Sequence, residues 1–477
     1  MTRWTAYAAI IAPAVFMVAS TTQIGLKPTL LVMAFGGFVG LAIVLTLAAW
    51  GNERAKHVSP EEHHRRWIGC LLAALLLVGC GGEGMSPTTP TPAATPAPDL
   101  GPPNIILIFA DDMGYADVSF NSPRLQTPNI DRIADEGVRL TDFYVPSPIC
   151  SSSRAALMTG RHPAWVGVPW NPFRPPHPEE VFIAEPLRDA GYFSAAFGKW
   201  HLGTEPEHMP TRRGFDAFWG FITGRLTRGW WEDDHPSTNG ASFTGIASAL
   251  TSKTLQFIDT HPKPFFVYLS HRDPHAPHHE TYADAVRRLD VSVGQLLEGL
   301  EARGLAENTL VFFTSDNGPV PPAGSAAPFD GRKGSCKEGG IRMPTAARWP
   351  AQIPAGTESD EIASTLDLFP TFVALAGGQL PQDVHYPGRD ITPILTGTVA
   401  RLAGHGQDGR REVICWQSGG PGAIRSGKWK YLRPSVFFGS TRLFNLEDDP
   451  GERINVLSDH PELGEQLDWR MVELSRR

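Results

Sequence analysis

The sequence predicts an α/β protein with a large mixed, mostly parallel sheet sandwiched by helices, followed by a small C-terminal α+β subdomain. Uniformly apolar segments of strand length alternate with amphipathic helical segments through the middle of the chain. This alternation is the pattern of a parallel sheet covered on both faces. Acidic or amide side chains directly follow two of the apolar segments. After about residue 396 the segments become short and closely spaced, which is typical of antiparallel strands.

The elements of the main domain follow from local signals. Residues 103–109 form a continuous apolar run and predict a buried strand. Thr127 and Pro128 place a cap before a first-turn proline, which predicts a helix ending near Gly137. Further helices, each leading to a strand, are predicted over 182–190, 245–260 and 281–303, with the strands over 192–197, 264–270 and 309–314. In the C-terminal part we predict strands over 412–416, 422–426, 429–433 and 442–446, and a helix over 461–475.

The first hundred residues have the composition of a targeting region. Residues 1–57 contain apolar segments, one of them long enough to be a membrane helix. Residues 58–80 combine a basic stretch with a short apolar core that ends at Cys80, and this ending resembles the lipidation site of bacterial lipoproteins. A further membrane helix is the alternative. Residues 81–102 form a Pro/Thr-rich linker.

These features predict a lipoprotein that is anchored to a membrane by its lipid and lies outside the cytoplasm, in the periplasm or on the cell surface. The remaining boundaries are a main domain over 103–395 and a C-terminal subdomain over 396–477.

Charge and cysteine content exclude several classes of protein. The chain has 477 residues and a formal net charge of −8, so we expect no nucleic-acid partner. Its five cysteines are widely spaced, which indicates neither a disulfide framework nor a zinc site.

Oxygen-bearing side chains lie where two predicted strands end. Asp111 and Asp112 follow the first strand, and Asp316 and Asn317 follow the strand over 309–314. Ligands bind at the carboxyl ends of parallel strands, so the four side chains converge if these strands are neighbours. An all-oxygen set suits calcium or magnesium rather than zinc or copper. Taken singly, each pair is more typical of a turn or, for the two aspartates, of a helix cap.

Cys150 is followed by three serines and Arg154. We expect the serines to cap a helix, which places Cys150 near a helix N-terminus. Backbone N–H groups and the helix dipole favour an anion there, and Arg154 can reach back toward the same point. The alternative is a buried structural cysteine.

Four further residues carry charge or titrate near neutral pH. Lys199 and His201 follow the strand over 192–197, His275 follows the strand over 264–270, and Lys333 lies in a glycine-rich loop. Lysine supplies a point charge for an oxyanion, and histidine acts as an acid or base. The loop of Lys333 suits an anion but lacks the spacing of a nucleotide-binding P-loop. For Lys199 and His201, a surface turn is the alternative.

From about Pro103 to near the C-terminus, the chain resembles the sulfatase family of the alkaline-phosphatase-like superfamily. The resemblance rests on ordered motifs that include ADDMGYADVS, CSSSRAALMTGR, GYFSAAFGKWHLG, SDNG and GRKGSCKEGGIRMP. It implies an alkaline-phosphatase-like fold with its catalytic domain over 103–395. It also implies hydrolysis of an aryl or carbohydrate sulfate ester to the alcohol and inorganic sulfate.

The resemblance further implies a role for each candidate residue. A formylglycine-generating enzyme would oxidise Cys150 to formylglycine, and one hydroxyl of its hydrate would attack sulfur. A divalent cation, calcium in preference to magnesium, would be bound by Asp111, Asp112, Asp316, Asn317 and the modified Cys150. The other residues would act on nucleophile and substrate: Arg154 and Lys199 would hold the nucleophile, His201 would act on its second hydroxyl, and His275 and Lys333 would bind the sulfate.

Two positions depart from the family pattern. Ser152 replaces the usual Pro or Ala of the motif that the modifying enzyme reads, and Ala116 replaces a usual Gly. Two other functions therefore stay open. One is a phosphodiesterase or phosphonate monoester hydrolase of the same superfamily, and the other is a non-catalytic surface binder of sulfated glycans.

The substrate pocket is expected to be shaped by the loops over 163–180 and 230–245. Aromatic rings suited to stacking on a sugar or an aryl group are present there: Trp165, Trp170, Trp230 and Trp231.

Overall fold

The computed structural model describes residues 100–476, apart from 171–173, 225–228, 262–263, 279, 405, 407–408 and 435–438. The predicted segments over 1–57 and 58–80 lie outside the described residues, as does the linker except for its last three positions. Among the described helices, none has the length and apolar character needed to cross a bilayer. The predicted domain boundaries stay predictions.

The strands are short to medium in length and are numbered in chain order. They are β1 (Asn104–Ala110), β2 (Val138–Leu140), β3 (Phe143–Tyr144), β4 (Phe193–Lys199), β5 (Ala217–Phe221), β6 (Trp230–Glu232), β7 (His235–Ser237), β8 (Phe265–Ser270), β9 (Thr309–Ser315), β10 (Ala346–Arg348), β11 (Thr357–Ser359), β12 (Ala363–Ser364), β13 (Glu412–Gln417), β14 (Gly420–Ser426), β15 (Trp429–Leu432) and β16 (Arg442–Asn445).

The helices of the described residues are numbered in the same way. They are α1 (Pro128–Asp135), α2 (Cys150–Thr159), α3 (Ala184–Asp189), α4 (Ile246–Thr260), α5 (Tyr282–Ala302), α6 (Glu338–Ile341), α7 (Leu368–Leu375), α8 (Thr392–Leu395) and α9 (Pro461–Ser475).

A ten-stranded mixed sheet forms the centre of the fold, in the order β11-β2-β10-β9-β1-β8-β4-β5-β6-β7. The five strands from β9 to β5 run parallel to one another, and antiparallel pairs occur nearer both edges. The predicted mostly parallel sheet is therefore confirmed. Each predicted strand and helix of the main domain lies within a few residues of its observed position.

Apolar clusters fill both faces of this sheet. On one face, alternate residues of β1 such as Leu107 and Phe109 pack with residues of α2, α3 and α7. On the other face, Ile106 and Ile108 pack with residues of α1, α4 and α5. Because β1 is buried on both faces, it has to be apolar throughout, which explains its uninterrupted run in the sequence.

The C-terminal part contains the four-stranded antiparallel sheet β13-β14-β15-β16 and the helix α9. One face of this small sheet packs with Tyr144, Val145 and Ile341 of the main domain, and the other packs with Leu467 and Met471 of α9. The predicted α+β character of this part is thus confirmed.

Three expectations from the sequence are wrong in detail. Cys336 and Cys415 form a disulfide, with Cα atoms 5.8 Å apart, although the cysteine spacing indicated none; two cysteines 79 residues apart meet only through the fold. The serines after Cys150 lie inside α2 and do not cap it, because Ile149 is the N-cap residue. Trp165 is buried and stacks edge-to-face on His162 at 4.7 Å, so it is a core residue and not a sugar platform.

Candidate active site

The two pairs of oxygen-bearing residues meet because β1 and β9 are in-register neighbours. Ala110 lies opposite Ser315 in the parallel pairing, so Asp111 and Asp316 follow at the same level of the sheet. The backbone N–H of Asp112 donates to Asp316 Oδ1 at 3.1 Å, and Asn317 Nδ2 donates to Asp112 Oδ1 at 2.8 Å. The predicted convergence therefore occurs.

Cys150 is the first residue of α2 and is buried. Its Sγ lies in one group with oxygens of Asp111 and Asp112 and a ring nitrogen of His275, and these atoms all lie within 4.8 Å of one another. Cys150 is the free cysteine of the described residues. The N-terminus of a helix favours a developing negative charge at this point.

Arg154 lies beneath this group and is fully buried. Its Nη2 and Nε donate to Asp316 Oδ2 at 2.7 and 3.1 Å, and its Nη1 donates to Tyr268 Oη at 2.9 Å and to Ser270 Oγ at 2.5 Å. Arg154 therefore holds Asp316 and the end of β8 in place. Sequence reasoning placed it at the nucleophile but missed these three partners.

Lys199 and Lys333 bring positive charge to the two aspartates that follow β1. Lys199 Nζ donates to Asp111 Oδ2 at 2.6 Å and is fully buried. Lys333 Nζ contacts Asp112 Oδ1, and its side chain stays about one-fifth exposed. His275 Nε2 lies 3.6 Å from Asp112 Oδ2. Lys333 and His275 are thus placed at the outer side of the site, where a substrate can reach them.

His201 adopts a left-handed backbone conformation with φ of 61°, directly after β4 and Trp200. Its Nδ1 is buried and has no hydrogen-bond partner among the described residues. A Cβ on Gly224 would lie 2.6 Å from the His201 ring, so glycine at that position leaves room for the imidazole. Gly224 was not singled out from the sequence, because this close approach exists only in the fold.

Burial and charge act on the titration of these groups in opposite directions. Burial disfavours the charged form of Asp111, yet Lys199, His275 and Arg154 outweigh it and hold the pKa of Asp111 well below its usual range. Burial and the charge of Asp111 raise the pKa of Asp316 to about 7. Burial and Lys199 lower the pKa of His201 well below its usual value, so its ring is neutral at neutral pH.

Two further groups differ in how burial is compensated. Burial raises the pKa of the Cys150 thiol to about 11, against the opposing charges of Lys199 and Lys333. Burial disfavours the Lys333 cation, but its interactions with Cys150 and Asp112 outweigh burial and raise the pKa of Lys333 well above its usual value.

The donor set fits a hard divalent cation. Asp111 Oδ1 and Asn317 Oδ1 are buried and lack a hydrogen-bond partner among the described residues. An unpaired buried oxygen costs free energy unless a ligand satisfies it. Carboxylate and amide oxygens are the ligands of calcium and magnesium. Asp111, Asp112, Asp316 and Asn317 are therefore suited to hold such an ion beside Cys150.

Residues 103–378 match the family model described as Sulfatase. The chain belongs to the sulfatase family. Sulfatases hydrolyse sulfate esters, so this sulfatase is a sulfuric ester hydrolase. Metal binding and a formylglycine residue are general properties of the family, and the group of Asp111, Asp112, Cys150 and His275 offers such a metal site.

Named relatives agree with this assignment. Arylsulfatase A from Bos taurus is 33% identical over 445 residues, which cover 76% of this sulfatase and 85% of the relative. N-acetylgalactosamine-6-sulfatase from Canis lupus familiaris is 36% identical over 347 residues, which cover 62% of this chain and 66% of the relative. The solved structure of Ps i-CgsB in complex with k-i-k-neocarrahexaose has a TM-score of 0.71 and 32% identity, and the match covers 79% of this chain and 93% of that one.

Of the two departures from the family pattern, Ala116 is accommodated. It is buried in a short 3₁₀ turn over Tyr115–Asp117 and has no positive φ, so its backbone does not require glycine. Ser152 is fully buried inside α2.

Proposed function

We propose that this sulfatase removes sulfate from a carbohydrate sulfate ester, with Cys150 converted to formylglycine and a calcium ion bound beside it. The observation that carries the proposal is the group of atoms within 4.8 Å that joins Cys150 to Asp111, Asp112 and His275. A nucleophile, a cation site and substrate-facing positive charge come together there, as sulfate ester hydrolysis requires.

The chain's own residues supply distinct parts of the reaction. Lys333 and His275 lie at the outer side of the site and would bind the sulfate oxygens. Lys199 neutralises Asp111, and His201, neutral and without a hydrogen-bond partner at Nδ1, would take the proton from the second hydroxyl of the hydrate. The bound cation would polarise sulfate oxygens, and the hydrated aldehyde would supply the attacking hydroxyl and the second hydroxyl that expels sulfate.

A carbohydrate substrate is supported by two of the relatives. One is named N-acetylgalactosamine-6-sulfatase, and the structure of the other was solved in complex with k-i-k-neocarrahexaose. Arylsulfatase A makes aryl sulfates suitable as laboratory substrates. Calcium is proposed in preference to magnesium because its larger coordination shell accepts carboxylate and amide oxygens in flexible geometry.

Maturation and location complete the proposal. A formylglycine-generating enzyme would convert Cys150 before folding, and Ser152 would have to be tolerated in the segment it reads. The sequence ending at Cys80 supports a lipid anchor, which would hold the enzyme in the periplasm or at the cell surface.

The test begins with mass spectrometry of the tryptic peptide 140–154 from protein made in its native host. Formylglycine at Cys150 would support the proposal, and unmodified cysteine throughout would overturn it in favour of a sulfated-glycan binder. Turnover of an aryl sulfate is then compared with turnover of an aryl phosphate diester. Faster hydrolysis of the sulfate is expected, whereas faster hydrolysis of the diester would favour a phosphodiesterase of the same superfamily.

A further inference from the structure

The loop that carries Lys333 depends on glycine on both sides of the lysine. Gly331 and Gly334 flank Lys333 with positive φ angles of 107° and 87°, a conformation that glycine adopts freely. On the side that faces the active site the loop is fixed by two backbone hydrogen bonds, from Lys333 N to Pro319 O at 3.0 Å and from Gly334 N to Pro148 O at 2.9 Å, and by the contact of Lys333 Nζ with Asp112 Oδ1. The backbone on the other side of Lys333 is supported by different contacts.

A disulfide to the C-terminal sheet supplies part of that support. Cys336, three residues after Lys333, is bonded to Cys415 of β13. Both cysteines are buried in an apolar cluster that includes Ile341 and Phe444. The disulfide thus fastens the loop to an element that contributes none of the candidate site residues.

A buried group of charged side chains supplies a further part, and we call it the Glu338 cluster. It consists of Glu338, Lys430 and Glu452, whose side chains are at most 1% exposed. Lys430 Nζ donates to Glu338 Oε1 at 2.6 Å, and the backbone N–H of Glu338 donates to Glu452 Oε2 at 2.7 Å. Glu338 begins α6, so these contacts fix the loop where it enters the helix.

We propose that the C-terminal sheet is a positioning element for sulfate binding, which acts on Lys333 through the Cys336–Cys415 disulfide and the Glu338 cluster. The inference rests on the proposed role of Lys333 in binding sulfate. None of the positioning residues touches the substrate. They set the place of a flexible side chain, and a displacement of about 1 Å is enough to weaken a positioned contact strongly.

The test measures the dissociation constant of inorganic sulfate by titration calorimetry on the metal-loaded full chain, so it does not depend on turnover. The variant carries Cys336→Ser and Cys415→Ser together, which leaves no unpaired thiol at either position. We expect sulfate to bind about tenfold more weakly, the loss of one charge-assisted contact. Unchanged affinity in a folded double variant would overturn the inference.

The matched control is Met471→Ala. Met471 is fully buried on the opposite face of the C-terminal sheet, in the cluster with α9. Truncating it destabilises the same part of the chain without touching the Lys333 loop. We expect its sulfate affinity to equal that of the wild type; an equal loss in both variants would mean that general destabilisation is the cause, and would overturn the inference.

A second pair of variants does not require removal of the disulfide. Glu452→Ala removes the acceptor of the Glu338 N–H, and Glu452→Gln keeps an acceptor oxygen. We expect weaker sulfate binding in the first and recovery in the second. Equal affinity in Glu452→Ala and the wild type would count against the proposal even if the double-serine variant does not fold.

Lys333→Ala separates the two possible failures. If Lys333 binds sulfate and the disulfide acts through it, Lys333→Ala weakens sulfate binding and removal of the disulfide weakens it no further. If Lys333→Ala leaves the affinity unchanged, the proposed role of Lys333 is wrong. If Lys333→Ala weakens binding but the disulfide variant does not, the role of Lys333 stands and the positioning inference fails.

Discussion

The Lys333 loop joins two buried groups of charged residues that differ in their access to the outside. In the active site, Asp111, Asp112 and Asp316 face Arg154, Lys199 and Lys333, and the Lys333 and His275 side chains remain 20% and 17% exposed. In the Glu338 cluster the side chains are at most 1% exposed. Both groups pair acids with bases, so charge alone does not mark a ligand site. A buried carboxylate oxygen without a hydrogen bond occurs in both groups, at Asp111 Oδ1 and at Glu452 Oε1. Access is therefore what makes the first group a site and leaves the second a structural support.

The largest expected effect comes from removing the nucleophile of the active site, which is the more exposed of the two groups. Cys150→Ala should lower kcat for an aryl sulfate by about 10⁴-fold or more, because no other described residue offers a nucleophile in that position. The unfolding temperature should change little. Residual turnover near the wild-type level would show that the reaction does not proceed through Cys150. The accessible group of charged residues would then not be the catalytic site.

The next largest effect concerns the Glu338 cluster. Lys430→Met leaves Glu452 buried without its ion-pair partner, while Glu338 keeps Arg342 at 3.2 Å, and should lower the free energy of unfolding by about 3 kcal/mol. The free energy is measured by denaturant titration. Lys333→Met, on the accessible side, should lower stability much less and turnover much more. Equal stability losses in the two variants would contradict the distinction between site and support.

Removal of the cation should change stability by a similar or smaller amount. A cation present at a hundred times its dissociation constant stabilises the folded state by about 3 kcal/mol, so a chelator should lower the unfolding temperature. The same chelator should have little effect on Asp111→Asn, which lacks a charged ligand at that position. A chelator response of equal size in both proteins would place the ion elsewhere.

The smallest effect over a single pH unit concerns a buried group without an acidic partner. Burial, with Arg411 and His385, lowers the pKa of His162 to about 3. The unfolded chain takes up a proton near pH 6.5 and the folded chain does not, so stability is lost as the pH falls from about 6.5 toward 3. The free energy of unfolding falls by about 1 kcal/mol per pH unit over this range. His162→Gln should make this dependence on pH smaller; a dependence equal to that of the wild type would refute the assignment.

Much of the catalytic edge was predictable because its residues directly follow apolar strands. Asp111 and Asp316 could be placed from the strand ends, since parallel neighbours end at the same edge. The direction of Arg154 could not, because its partners Tyr268 and Ser270 lie on β8, more than a hundred residues away. Tyr268 and Ser270 are two residues apart in β8, so their side chains lie on the same face of the sheet. This spacing was the signal in the sequence that could have identified them as partners.

The contacts that hold the active-site residues in place were less predictable. The pairing of Cys336 with Cys415 depends on how the C-terminal sheet docks, and cysteine spacing carries no such information. The space that Gly224 leaves for His201 is likewise a property of the packed fold. Trp165 was assigned to the pocket by residue type, whereas the cluster of α9 and the small sheet buries it.

The pairing of β1 with β9 also sets an order of events during synthesis. Arg154 and its partner Asp316 are 162 residues apart in the chain, which ribosomes traverse in roughly ten to thirty seconds. Until β9 has been made, one of the two strands that flank β1 is missing. Asp316 is then not available to pair with Arg154 of α2. The segment around Cys150 is therefore an unfolded, accessible peptide for a period during synthesis. Any chemical change to the Cys150 thiol has to be completed before β9 is added to the sheet and the thiol becomes buried.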